Sequence, residues 1–198
     1  MHPCWKIASA LAIVVAFLAG RSDAAGVKVG DKAPQWSALA GVDGKPHSLA
    51  DYQQDKKVVV LVFTCNTCPV AVAYEDRLVA LAHDYQDKGV QFVAINVKHG
   101  DADGLEQMKT RAKEKDFNFP YLSDPSQGSG RDYGARVTPH VFLIDQQGMI
   151  AYVGAIDDSK LVDNVTKHYL RDAIDALLAS KKPHVTQTQP FGCRIQYQ

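Results

Sequence analysis

The sequence has no excess of charge of either sign, because its 22 Lys and Arg residues balance 22 Asp and Glu residues. A balanced chain creates no overall field that gathers nucleic acid or an anionic membrane surface, so neither is predicted as a partner. Internal repeats and low-complexity tracts are also missing. The 198 residues are enough to bury one sizeable core, and the sequence therefore predicts a single globular domain.

Long hydrophobic runs are scarce, and the most apolar one lies at the amino terminus. Residues 7–19 follow Lys6 and are too few to span a bilayer comfortably, and the small residues Ala24 and Ala25 come shortly afterwards. This pattern predicts a secretory signal in residues 1–25, cleaved near Ala25, and export to the periplasm or the medium. The alternative is an uncleaved amino-terminal anchor.

Cysteine is rare as well, with four residues in the chain. Cys4 would leave with the signal, so the exported chain would keep Cys65, Cys68 and Cys193. An odd number of thiols argues against a dense disulfide framework and favours one close pair plus a third thiol. A zinc site is not predicted, because a second Cys-x-x-Cys is missing and the histidines are scattered.

Hydrophobic patterning divides the remaining chain into alternating strands and helices. An unbroken apolar strand at residues 58–63 precedes an amphipathic helix from Pro69 to about Lys88, and a second buried strand follows at residues 90–97. The other predicted elements are a hairpin around residues 43–46, a helix over 105–115, an extended piece at 119–122, a loop over 124–130, a hairpin of 141–144 with 149–153, and a helix over 162–177. The prediction is an α/β domain over residues 26–182, followed by a tail over residues 183–198.

Reactive chemistry is predicted where the first buried strand turns into its helix, at Cys65-Asn66-Thr67-Cys68. We expect the first sulfur to lie at the helix amino terminus, where free N–H groups and the helix dipole stabilise a thiolate. The second sulfur, two residues farther on, can then resolve a mixed disulfide. A static disulfide staple is the alternative interpretation.

Four segments in order resemble the thioredoxin superfamily: residues 63–69, 73–78, 137–142 and Gly192-Cys193. The similarity is greatest to the branch that holds the alkyl hydroperoxide reductase/thiol-specific antioxidant proteins, peroxiredoxin-like redoxins and exported TlpA-like thioredoxins. It implies a thioredoxin-like fold, with a central mixed β-sheet flanked by helices and an amino-terminal β-hairpin. It also implies that Pro139 is a cis proline beside the active pair and that Thr138 offers backbone groups to a substrate strand.

The sequence departs from these relatives at several positions. The peroxidatic Thr of peroxiredoxins is absent, since Val62 stands three residues before Cys65, and the nearest candidate for their activating Arg is Arg136. Thioredoxins carry a buried Asp where this chain has Val59. Many relatives have His in place of Thr67, and its loss predicts a less acidic first thiol and a reducing or isomerising protein.

The resulting prediction is an exported thiol/disulfide oxidoreductase that needs no cofactor. Its partners would be protein thiols or disulfides and an upstream redox protein. Cys193 is a candidate third redox thiol, or else an unpaired one, and His140 could tune the thiolates or simply belong to a strand. The alternative functions are a peroxiredoxin-like thiol peroxidase and a non-enzymatic binding module with a structural disulfide.

Overall fold

The computed structural model describes residues 26–198, and the predicted signal segment with Cys4 lies outside the described residues. The strands are β1 (Leu39–Gly41), β2 (Pro46–His47), β3 (Val58–Thr64), β4 (Val90–Asn96), β5 (Tyr121–Ser123), β6 (Val137–Thr138), β7 (His140–Asp145), β8 (Ile150–Gly154) and β9 (Cys193–Arg194). The helices are α1 (Ala50–Gln53), α2 (Pro69–Tyr85), α3 (Leu105–Glu114), α4 (Gly128–Tyr133) and α5 (Tyr169–Leu178). None of the helices within this part of the chain is both long and apolar enough to cross a membrane.

Seven strands form one mixed sheet in the order β2-β1-β5-β4-β3-β7-β8. Strand β3 is central and pairs in parallel with β4 and antiparallel with β7. Strands β1 and β2 form the predicted hairpin at one edge of the sheet. Since β3 and β4 run in the same direction, their carboxyl ends meet at one edge, and the Cys65 loop leaves the sheet there.

The core lies on both faces of the sheet because every residue of β3 is buried. Val58, Val60 and Val62 pack with α2 and α5 on one face, and Val59, Leu61 and Phe63 face the other side, which α1 and α4 cover. Successive side chains of a strand point to opposite faces, so an unbroken apolar run is what a doubly covered strand requires. The predicted strand-helix-strand unit is confirmed.

The last helix begins later than the hydrophobic spacing predicts. Residues 162–168 form a short 3-10 turn and an irregular segment, and α5 starts at Tyr169. The Asp158 carboxylate accepts hydrogen bonds from the backbone N–H groups of Thr166 at 2.9 Å and Lys167 at 3.0 Å. These bonds hold the segment as a loop, because a side-chain acceptor competes with helical pairing.

The loop predicted over residues 124–130 ends early, because α4 begins at Gly128. Asp124 is buried, and its carboxylate accepts hydrogen bonds from the backbone N–H of Ser129 at 2.8 Å and from its hydroxyl at 2.6 Å. The start of α4 is rich in glycine and has a low intrinsic helix propensity, so these hydrogen bonds to Asp124 hold it in the helical conformation.

Candidate redox site

Both cysteines of the pair lie at the junction of β3 and α2, but the helix terminus receives the second sulfur instead of the first. Cys68 is the N-cap residue of α2, and its sulfur accepts a hydrogen bond from the backbone N–H of Ala71 at 3.4 Å. Pro69 occupies the first helical position, where the missing N–H costs nothing. Cys65 lies one turn earlier, so the prediction that its own sulfur sits at the helix amino terminus was wrong.

The loop between β6 and β7 lies against the pair. The Thr138-Pro139 peptide bond is cis, as the resemblance implied. The Thr138 hydroxyl oxygen is 3.4 Å from the Cys65 sulfur, and the Thr138 carbonyl oxygen accepts a hydrogen bond from the Cys68 thiol at 3.1 Å. The structure therefore brings the four residues predicted for the site into one place.

The protonation of the two thiols is linked. A hydrogen bond from Cys65, aided by Cys193, Thr138 and the Ala71 N–H, lowers the pKa of Cys68 to about 4, while burial opposes this shift. The same hydrogen bond and then burial raise the pKa of Cys65 well above its ordinary value. One proton therefore leaves the pair readily and the other stays between the two sulfurs. The Thr138 carbonyl oxygen accepts a hydrogen bond from the Cys68 thiol, which favours its protonated form and opposes this ionisation.

Access separates the roles of the two sulfurs. Both sulfurs are buried, with Cys65 2% and Cys68 0% exposed, but Cys65 lines a cavity of about 230 Å³ and Cys68 does not. The cavity walls come from the end of β4, the cis-proline loop and the tail, namely Val97, Lys98, His99, Thr138, Cys193, Arg194, Ile195, Gln196 and Gln198. A space of this size admits a side chain or a short segment of a partner, and Cys65 is the sulfur of the pair that such a group would meet.

A buried carboxylate that the sequence interpretation missed fixes the loop between the cysteines. Asp103 is 4% exposed and accepts hydrogen bonds from the Asn66 backbone N–H at 2.7 Å, the Thr67 hydroxyl at 2.7 Å and the Asn96 side-chain amide at 3.1 Å. Lys98 also donates to the Thr67 hydroxyl. The position of Asp103 shortly after β4 could have predicted this role. The carboxyl ends of the neighbouring parallel strands β3 and β4 share an edge, so a residue after β4 lies near the loop after β3.

We expect the Asp103→Ala variant to lose about 2 kcal/mol of unfolding free energy, because donors at half-buried Asn66 and buried Asn96 would be left without their acceptor. Urea denaturation followed by circular dichroism would measure this loss. Asp101→Ala is the matched control, since that side chain is exposed and should change stability by no more than about 0.5 kcal/mol. Equal stability of the two variants would contradict the assigned role of Asp103.

The tail reaches the site, although its sequence shows no periodicity. Strand β9 pairs antiparallel with β6, so that Cys193 is opposite Thr138. The backbone edge that was expected to receive a substrate strand therefore carries the chain's own tail. Cys193 is half-buried, and it packs against the cluster that contains Cys65 and Cys68.

His140 and Arg136 do not supply a cation to the thiols. His140 is buried, and burial followed by the charge of Arg136 lowers its pKa to about 3. Its Nδ1 accepts a hydrogen bond from the Arg136 backbone N–H at 3.3 Å, and within residues 26–198 its Nε2 has no partner. Arg136 is exposed and does not line the cavity. The imidazole is thus neutral at physiological pH.

Residues 29–153 match the AhpC/TSA family. A curated relative, the thiol:disulfide interchange protein DsbE of Pasteurella multocida (strain Pm70), is 30% identical over 116 residues, which make up 57% of this chain and 58% of that protein. The match thus covers less than two thirds of the relative's length.

Solved structures show the same architecture. An uncharacterised conserved protein from Geobacillus kaustophilus is 37% identical, with a TM-score of 0.80 over 86% of this chain and 93% of the other. The thioredoxin domain of a thiol-disulfide oxidoreductase from Bacteroides vulgatus is 19% identical, with a TM-score of 0.54 over 65% of this chain and 89% of that one. The predicted thioredoxin-like fold is confirmed.

Proposed function

Since the chain belongs to the AhpC/TSA family, we propose that it is an exported thiol/disulfide oxidoreductase that exchanges a Cys65/Cys68 dithiol with protein disulfides. Its thioredoxin-superfamily fold and its similarity to a thiol:disulfide interchange protein support this class of chemistry. The observation that carries the proposal is the arrangement of the two thiols, in which Cys65 lines the cavity and Cys68, at the N-cap of α2, does not.

The exchange takes two displacements. The Cys65 thiol passes its proton to the Cys68 thiolate along their hydrogen bond, attacks one sulfur of a substrate disulfide, forms a mixed disulfide and expels the first substrate thiolate, which takes the proton from Cys68. Cys68 then attacks the Cys65 sulfur, forms the Cys65–Cys68 disulfide and releases the second substrate thiol. The substrate gains two electrons, and an upstream dithiol protein returns two electrons to the pair. No cofactor takes part in these steps.

The cis-proline loop is proposed to position the reacting sulfurs. The Thr138 hydroxyl lies beside Cys65, and the Thr138 carbonyl lies beside Cys68, so one residue contacts both members of the pair. In the proposed function, Thr138 is also part of the cavity wall that a partner meets next to Cys65, and the cis Pro139 fixes the backbone there. Reception of a substrate strand by the Thr138 backbone stays a prediction, and it requires that β9 leave that edge.

The reducing or isomerising direction is favoured over strong oxidation. Strong oxidants of this kind stabilise the thiolate of the attacking cysteine, whereas the pKa of Cys65 is raised by its hydrogen bond to Cys68 and by burial. Thr67 stands where many relatives have His, and its hydroxyl is bonded to Asp103 and Lys98 instead of to a sulfur. The site therefore contains no cationic imidazole at this position.

The proposal includes export of the protein and a division of the chain into signal, domain and tail. Lys6, the apolar residues 7–19 and the small residues up to Ala25 support a cleaved signal in residues 1–25 and a periplasmic or secreted protein. We propose that residues 26–182 form the redox domain and that residues 183–198 form the tail. Nothing beyond the signal segment is proposed to contact a membrane.

Paired assays of the exported protein test the proposed function. We expect insulin disulfides to be reduced with dithiothreitol as the electron source at least about tenfold faster than in the uncatalysed reaction. Hydrogen peroxide should be consumed no faster than by a free thiol, because the peroxidatic Thr and the activating Arg are missing. Protein alkylated with iodoacetamide after reduction serves as the matched control.

Two results would contradict the proposal in different ways. Rapid consumption of peroxide without reduction of insulin would identify a thiol peroxidase. A Cys65–Cys68 disulfide that never opens across a glutathione redox series would identify a structural bond in a binding module.

A further inference from the structure

The last residues of the chain are built into the active site instead of lying free. Besides the pairing of β9 with β6, the Ile195 backbone N–H donates to the Arg136 carbonyl oxygen at 2.9 Å. Farther on, the Tyr197 hydroxyl donates to the Ala135 carbonyl oxygen at 2.7 Å, and the Gln127 side-chain amide donates to the Gln196 carbonyl oxygen at 2.9 Å. These contacts hold residues 193–197 against β6, the segment before it and Gln127.

Gly192 allows the close approach of the tail to the cis-proline loop. A Cβ atom at this position would lie 2.0 Å from the Thr138 carbonyl oxygen and 2.7 Å from the Thr138 carbonyl carbon. Both are backbone atoms, so a larger residue would push the tail away from β6 instead of displacing a flexible side chain. Only a glycine at position 192 therefore allows Cys193 to lie where it does.

Three sulfurs meet as a result. The Cys193 side chain packs against the buried cluster of Cys65, Cys68 and Ala71, and the Cys193 and Cys68 thiols lie close enough for their ionisation to be coupled. Cys68 thereby has two thiol neighbours, Cys65 from the end of β3 and Cys193 from the tail. Cys193 lines the cavity together with Cys65, so the central thiol of the three is the most deeply buried.

From this arrangement we propose that Cys193 is a third redox thiol that attacks Cys68 and releases Cys65. The inference rests on the proposed function, because its starting point is the Cys65–Cys68 disulfide. The Cys193 thiolate attacks the Cys68 sulfur, the bond between Cys65 and Cys68 breaks, and a Cys68–Cys193 disulfide forms. Cys65 leaves as a thiolate, and the proton lost by Cys193 goes to solvent. One disulfide is consumed and one is formed, so no external oxidant or reductant is needed.

The transfer gives the site a free attacking thiol while its resolving thiol is occupied, which a two-thiol site cannot provide. After the transfer, Cys65 again faces the cavity as a free thiol while Cys68 is occupied by the tail. The protein can then attack a second disulfide without immediate resolution by Cys68, which is the property required to rearrange mispaired disulfides. The substrate class is therefore a protein with non-native disulfides.

Two single-cysteine replacements in the full exported chain test the transfer. In glutathione redox buffer, we expect Cys65→Ser to form an internal Cys68–Cys193 disulfide, seen as loss of both alkylatable thiols and a mass lower by two hydrogens. Cys68→Ser is the matched control, and its Cys65 and Cys193 should need about a tenfold more oxidising glutathione ratio to pair. Persistence of both thiols in Cys65→Ser, in buffer that oxidises the wild-type pair, would overturn the inference.

Disulfide mapping of the alkylated wild-type chain provides a second, independent measurement. We expect peptides linked through Cys65–Cys68 and through Cys68–Cys193, with the second linkage reduced about tenfold in Gly192→Val because the tail is displaced. Gln189→Ala, an exposed change in the same tail, should match the wild type. Detection of Cys65–Cys68 alone would overturn the inference and leave the proposed function standing, whereas absence of the Cys65–Cys68 link would overturn both.

Discussion

We expect the Cys65→Ser variant to reduce insulin disulfides at no more than about a thousandth of the wild-type rate, because a serine hydroxyl neither ionises at neutral pH nor exchanges with sulfur. Cys65 is the member of the pair that faces the cavity, and buried Cys68 cannot take its place. Turbidity of insulin in dithiothreitol, corrected for the uncatalysed reaction, measures the rate.

Cys68→Ser separates the first displacement from the second. This variant keeps the attacking sulfur and lacks the one that resolves the mixed disulfide, so it should accumulate a covalent adduct with its substrate. The adduct would be seen on a non-reducing gel and would disappear with dithiothreitol. Insulin reduction by Cys65→Ser at the wild-type rate, or the same adducts in both variants, would show that Cys65 is not the attacking thiol.

The second large effect concerns stability at acidic pH. We expect the free energy of unfolding to fall by about 3 kcal/mol more in the wild type than in His140→Gln between pH 6.5 and pH 4. Burial lowers the pKa of His140 to about 3, so below its ordinary value of 6.5 the unfolded chain binds a proton that the folded chain refuses. Stability is therefore lost as the pH falls through this window, and it is fully present above it.

Urea titrations at several pH values measure this difference, and His83→Gln provides the matched control. His83 is exposed on α2, so its replacement should leave the pH dependence of the wild type unchanged. Parallel stability curves for the wild type and His140→Gln would show that the imidazole is solvated and protonated in the folded protein, contrary to its burial.

The sequence was sufficient for features that depend on local patterns. The apolar run of β3 is long and unbroken, and the helical spacing after Pro69 is strong, so the strand, the helix and the Cys65/Cys68 pair between them could be placed. The hairpin of β1 and β2 carried turn residues at Asp43 and Gly44, which restrict the backbone locally. The cis bond before Pro139 followed from resemblance alone.

Features that depend on distant contacts could not be predicted. Asp103 is defined by partners on two other segments, Asn66 and Asn96, and no motif marks it. The tail forms one short strand whose partner, β6, lies more than fifty residues earlier in the chain. The irregular path before α5 is set by Asp158, which overrides a hydrophobic spacing that favours a helix.

The residue that caps α2 could not be predicted from the sequence either. The helical spacing places the start of α2 at Pro69, where the structure also has it, but the spacing does not show that the Cys68 sulfur accepts the free Ala71 N–H group. A capping bond depends on the backbone conformation before the helix, so the charge distribution within the pair required the structure. The cavity lining, which includes Cys65 and not Cys68, then indicated Cys65 as the sulfur that a partner meets.

Because β9 pairs with β6, a partner strand that used the same backbone edge would compete with the chain's own tail. A tethered strand is present at an effective concentration in the millimolar range, whatever the concentration of the protein itself. A partner that bound through the same backbone edge would have to displace that strand, and weak encounters would fail to do so. A partner would then need contacts outside this edge to supply the binding free energy for displacing the tail. Thiol proteins that lack such contacts would be excluded.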